Sequence, residues 1–99
     1  MFRGLLLSVV VLLLAACSGK NPGPLEGTWA VTTPFPVTVT FRSGETEAMG
    51  VTKKVSYKIT GNAVFVTYEE GGTKGTTFRY TVIDANTIRS ETGTFHRIR

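Results

Sequence analysis

The sequence has one cysteine, one histidine and one tryptophan in 99 residues. A single cysteine excludes an internal disulfide. The lone histidine, His96, has no second histidine or cysteine to complete a zinc site and reads as a surface or cross-strand residue. No Gly-x-Ser-x-Gly turn surrounds Ser43, Ser56 or Ser90, so no hydrolase nucleophile can be named. Gly71, Gly72 and Gly75 precede no helical stretch and form no phosphate cradle. Glu69-Glu70-Gly71-Gly72 has too few ligands for a calcium loop, and Glu45 and Glu47 on one strand face read as solvated carboxylates. No catalytic residue, metal site or cofactor follows from the residues, and the chain reads as a non-enzyme.

Acidic residues are the scarcer charge, 7 against 11 lysines and arginines, for a formal charge of +4. Lys53, Lys54, Lys58, Lys74, Arg79, Arg89, Arg97 and Arg99 are interleaved with Glu45, Glu47, Glu69, Glu70 and Glu91. Such mixing describes a solvated surface, not a nucleic-acid stripe.

Long hydrophobic runs are missing except at the start. Arg3 supplies the only early side-chain cation, Leu5 to Leu14 is apolar apart from Ser8, and small residues lead to Cys17. This is the layout of an export signal, too short to span a bilayer as a helix. Leu14-Ala15-Ala16-Cys17 resembles the lipobox of bacterial lipoproteins. The resemblance covers Met1 to about Ser18. It implies diacylation of Cys17, cleavage after Ala16 and acylation of the new amine. Residues 1–16 are then a signal peptide, 17–24 a lipidated cysteine with a flexible tether, and 25–99 a single domain. Loss of Arg3 and the C-terminal carboxylate bring the charge to about +2. Two or three acyl chains anchor stably where one does not.

Ser18-Gly19-Lys20-Asn21-Pro22-Gly23-Pro24 carries no large apolar side chain. It reads as a free tether that reaches at most about 25 Å. In the lipoproteins that the chain resembles, aspartate after the cysteine commonly retains the product in the inner membrane. Ser18 is compatible with the periplasmic side of the outer membrane.

From Leu25 the pattern is strand throughout, rich in Thr and Val with no sustained helical period. The expected strands are Thr28–Thr33, Val37–Arg42, Glu45–Met49, Val51–Thr60, Ala63–Glu69, Thr76–Ile83, Thr87–Ser90 and Thr94–Ile98. Gly61-Asn62 signals a two-residue hairpin turn. It pairs Ile59 with Val64, Tyr57 with Val66 and Val55 with Tyr68 on one face, and Ser56 with Thr67 and Lys54 with Glu69 on the other. A loop from Gly71 to Gly75 then sets Tyr68 opposite Phe78, Val66 opposite Tyr80 and Val64 opposite Val82. Asp84-Ala85-Asn86 sets Val82 opposite Ile88, with Asn86 in a left-handed position. A two-residue turn at Thr92-Gly93 turns Phe95 and Arg97 inward and is preferred, because Phe95 then continues the aromatic row; a three-residue turn instead turns His96 and Ile98 inward.

Such a meander of seven or eight short strands is expected to form a small barrel or strongly curved sheet, because open edges invite aggregation. Gly27-Thr28-Trp29 opens the first strand, and Arg97 lies near the end of the last. Together they resemble the Gly-x-Trp of lipocalins and the arginine that packs over that tryptophan where those barrels close. The resemblance implies contact between Trp29 and Arg97 at the closure. The chain is far shorter than a full lipocalin.

Two further features carry functional expectations. Phe65 and Ile83 fall on the polar face, where they either form an exposed partner patch or are covered by Pro34-Phe35-Pro36 or the tether. The set Trp29, Tyr57, Tyr68, Phe78, Tyr80 and Phe95 either fills the core or lines a shallow pocket, with Tyr57 and Tyr80 as candidate contacts. Two functions follow. One is a non-enzymatic binding or accessory module of the envelope, an assembly subunit or an inhibitor, with an envelope protein as partner. The other is a lipocalin-like carrier of a small hydrophobic ligand. A fatty-acid analogue fed to cells is expected to label the wild-type chain and to miss Cys17→Ser; equal labelling of both would remove the anchor.

Overall fold

The computed structural model describes residues 19–32 and 35–99. The leader and Cys17 lie outside the described residues. Eight strands run in sequence order: β1 (Gly27–Val31), β2 (Val37–Arg42), β3 (Glu45–Ala48), β4 (Val51–Thr60), β5 (Ala63–Tyr68), β6 (Thr77–Asp84), β7 (Thr87–Ser90) and β8 (Gly93–Arg97). All neighbours are antiparallel, and β8 returns to β1 to close a barrel. The chain is thus all-β, an up-and-down meander that removes its own edges by closure. Eight strands enclose an interior just wide enough to be filled by side chains or to hold one small ligand.

Alternation builds the walls. Val39 and Phe41 of β2, Val55 and Tyr57 of β4, Val64 and Val66 of β5, Ile88 of β7 and Phe95 of β8 all turn inward and are buried. The β4–β5 hairpin pairs Ile59 with Val64, Tyr57 with Val66 and Val55 with Tyr68. Its turn needs Gly61 at φ +58°. A glycine with positive φ at the first central position of a two-residue loop matches strand twist without a side-chain penalty.

Two registers differ from the sequence expectation by two residues. Val66 faces Phe78 and Val64 faces Tyr80, not Tyr80 and Val82. The loop is longer than Gly71–Gly75: a 3₁₀ turn at Gly71–Thr73 sits inside it, and the Tyr68 N–H donates to the Thr76 carbonyl. The last turn is Glu91-Thr92, since Ser90 pairs with Gly93 and Ile88 with Phe95. A slip of two preserves the face of every side chain, so the inward set is unchanged. Val82 does face Ile88, but a bulge at Ile83 makes the β6–β7 turn shorter. Asn86 is not left-handed; its N–H is held by the Asp84 carboxylate at 2.8 Å. The described non-glycine residue with positive φ is Met49, at 54° in the β3–β4 turn.

The expected tether also needs correction from Gly19 onward. Gly19 exchanges two main-chain hydrogen bonds with Tyr57 of β4, at 2.8 and 2.7 Å. The Gly44 N–H donates to the Lys20 carbonyl at 2.8 Å. Pro22 is buried, and a 3₁₀ turn at Gly23–Leu25 carries fully buried Leu25 into one end of the barrel. Backbone groups and one proline therefore dock a segment that has almost no apolar side chains. The Lys20–Glu69 ion pair is exposed and adds little.

That end is closed by Trp29 and Arg97. They face each other across the β1–β8 seam, and the guanidinium carbon stands 4.3 Å from the indole ring centre. The indole N–H donates to the Leu25 carbonyl at 2.8 Å. Arg97 donates to the carbonyls of Ala85 and Glu26, both at 2.8 Å, and of Arg99 at 3.3 Å and Pro24 at 3.4 Å. Gly27 is required beside it: φ is 129°, and a Cβ there would collide with the Arg97 guanidinium. A cation over an indole contributes about 0.5–2 kcal/mol, more when dry. A double-mutant cycle with Trp29→Leu and Arg97→Gln should show coupling of about 1 kcal/mol in unfolding; additive losses would show that the stacked geometry contributes nothing.

Candidate functional site

The two ends of the barrel differ in how they are filled. At the plugged end, Trp29, Leu25, Val55, Val64 and Ile88 leave almost no exposed surface. Tyr57 belongs to this half. Its ring is buried, and its hydroxyl donates to the carbonyls of Arg42 and Glu45, at 3.1 and 2.6 Å, in the β2–β3 turn. Burial pushes its pKa well above the usual tyrosine range. Tyr57 is thus a core residue and does not line the hollow at the other end. Phe41, which the sequence pattern did not single out, stacks edge-on against both Tyr57 and Tyr80, at 6.4 and 5.2 Å.

At the other end lies a hollow of about 240 Å³. Tyr68, Phe78, Tyr80 and Phe95 form its aromatic wall, and Val37, Val39 and Ala48 its aliphatic wall. The strand order explains the grouping. Residues late in β5 and β7 and early in β6 and β8 all lie at the end opposite Leu25, and alternation turns every second one inward. The rings set themselves edge to face: Tyr68 and Phe78 at 5.6 Å, Tyr80 and Phe95 at 6.4 Å. Arg79 and Glu91 bring one charge of each sign to the lip, with Ser90 and Thr92 between.

Two tyrosines, Tyr68 and Tyr80, bring hydroxyls to this hollow, and Tyr80 is the one with a perturbed phenol. Burial and the neighbouring Tyr68 push its pKa up to about 12. Unlike Tyr57, its hydroxyl makes no hydrogen bond to another described residue. Buried tyrosine hydroxyls usually find a partner.

The mouth is also rimmed with exposed apolar side chains. Phe78 is 41% exposed, Met49 79%, Val51 54% and Phe35 71%. Phe35 and Met49 lie in the loops at this end, after β1 and β3. Met49 sits in a left-handed turn position that asparagine or glycine would occupy at lower cost.

Phe65 and Ile83 lie elsewhere. Phe65 is half-buried on the outer wall between Lys58 and Arg79, and Ile83 is exposed at the β6 bulge near the plugged end. Neither lines the hollow. Among the described residues no group of three His, Cys, Asp or Glu side chains is placed to hold a metal ion, and no helix is long and apolar enough to cross a membrane. Compared with known proteins, the chain matches no family model, no curated protein and no solved structure.

The raised pKa of Tyr80 gives a pH dependence. An unfolded tyrosine ionises near about pH 10, and the folded one near 12. The stability tied to the neutral phenol is therefore complete below pH 10 and is lost as pH rises toward 12. Denaturant midpoints across this window should fall less steeply for Tyr80→Phe than for the wild type; identical slopes would mean that the hydroxyl is not desolvated.

Proposed function

We propose that this chain is a non-enzymatic binding module of the bacterial cell envelope. On this reading Cys17 carries lipid at the periplasmic side of the outer membrane, and the barrel mouth engages an envelope protein. One observation carries the choice of surface. A barrel filled tightly at one end opens at the other into an apolar, aromatic-walled hollow. The exposed Phe35, Val51 and Phe78 at this end extend that apolar surface beyond the hollow, as an interface core would require.

The size of the hollow bears on its occupant. About 240 Å³ is below the roughly 300–1,000 Å³ of pockets that enclose drug-sized ligands. It exceeds the roughly 150 Å³ that admits benzene. The hollow thus suits one inserted group of a larger partner better than a whole cargo molecule. A carrier of a small hydrophobic ligand, the function that the lipocalin resemblance implies, is the second reading, favoured by the apolar lining.

The anchor position is consistent with a mouth that meets proteins. Gly19 leaves the barrel beside Tyr57, on the plugged half. Only Ser18 separates Gly19 from Cys17. A lipid on Cys17 would hold the plugged half near the bilayer and direct the mouth away from it. Any binding role for Phe65 and Ile83 would use the outer wall.

The wild-type chain and Phe78→Asp, each purified from native membranes, test the proposal. A discrete envelope protein should co-purify with the wild type and be reduced about tenfold or more by the charge placed in the interface. A hydrophobic small molecule retained by the wild type, with no protein, would favour the carrier instead.

A further inference from the structure

Within that reading of the mouth, we infer that the hollow is a receptor for a single aromatic ring with a hydroxyl tip, a tyrosine side chain presented by the partner. Four observations converge on this chemistry. The first is size: the hollow has room for one ring and its substituent. The second is the wall. Tyr68, Phe78, Tyr80 and Phe95 stand edge to face with one another. A ring entering among them meets both ring faces and ring edges, the offset and edge-on contacts that aromatic groups prefer.

The third observation is the Tyr80 hydroxyl. It lies in the apolar hollow without a hydrogen bond to another described residue. Tyr80 is partly buried, and a hydroxyl among apolar walls gains from a polar partner. A phenol both donates and accepts, so it completes the Tyr80 hydroxyl whichever way that proton points. The rim brings one charge of each sign, Arg79 and Glu91, and so offers no net attraction to a charged tip.

The fourth is the surface around the hollow, which separates a tyrosine of a protein from a free phenol. Phe35 and Val51 lie outside the aromatic wall and are largely exposed. A free phenol would leave them in water. A tyrosine on a protein surface would bring neighbouring residues down onto them.

The test uses the full chain in lipid nanodiscs and two water-soluble probes, N-acetyltyrosinamide and N-acetylphenylalaninamide. Binding is read from the backbone amide signals of Arg79, Ser90 and Thr92 by heteronuclear NMR. Both probes should shift these signals, with the tyrosine analogue binding about three- to tenfold tighter, the worth of one hydrogen bond. Tyr80→Phe should erase that preference by bringing the tyrosine analogue to the affinity of the phenylalanine analogue. Equal affinities in the wild type, a preference that survives Tyr80→Phe, or no shift at the mouth would each overturn the inference. Tighter binding of p-cresol than of the tyrosine analogue would also overturn it, by making the occupant a free small molecule. Co-purification of an envelope protein without tyrosine selectivity removes this inference alone. Tyrosine selectivity in a chain that captures no envelope protein upholds it and removes the envelope reading.

Discussion

The plugged end depends on one guanidinium. Arg97 reaches the β6–β7 turn through Ala85, the N-terminal segment through Pro24 and Glu26, and the last residue through Arg99. Its flat face covers Trp29 at the seam where the sheet closes. Only the planar fork of arginine can serve several carbonyls and an indole at once. Neighbouring residues are shaped around it. Gly27 must lack a Cβ, and Leu25 must present its carbonyl to the indole. β1 and β8 pair at Trp29–Arg97 and Ala30–His96, and Thr28 adds main-chain hydrogen bonds to Ile98 and Arg99, so the cluster caps a seam that the backbone also holds.

That closure sets the division of labour along the barrel axis. With one cysteine in the sequence the domain has no disulfide and is stabilised by packing. The packing is concentrated at the plugged end, where Leu25 and Trp29 are fully buried. The far end is left with an unfilled interior and aromatic walls. A site whose walls stand on strands anchored below is positioned more rigidly than one built on loops. The docked N-terminal segment adds to the same arrangement. Gly19 and Lys20 run beside β4 and the β2–β3 turn, on the packed half and away from the mouth.

The part of the site legible in the sequence was its residue types, not its shape. Phe78, Tyr80 and Phe95 could be assigned to the interior because alternation along each strand is local. Which of the aromatic residues fill the core and which line a hollow was not legible. Tyr57 and Tyr80 look equivalent in the pattern, yet one hydroxyl bonds to two turn carbonyls and the other to no described residue. The difference arises from height along the barrel axis, which depends on strand tilt and stagger summed over all eight strands. The docking of Gly19 and Lys20 was hidden for another reason. It is made by main-chain groups, which every residue carries.

By itself the sequence determined the strands, their inward faces and the turn at Gly61-Asn62. Each depends on a two-residue period or on one residue's φ range, and both are properties of neighbours in the chain. It also marked Trp29 and Arg97 as residues of the first and last strands. Only the tertiary structure decided the pairing of Val66 with Phe78 and of Ile88 with Phe95, the plug at Leu25 and the empty space beside Tyr80. Register slips of two leave every face unchanged, so the pattern cannot resolve them. The volume left inside a closed sheet is a property of the whole circumference, and no stretch of chain carries it.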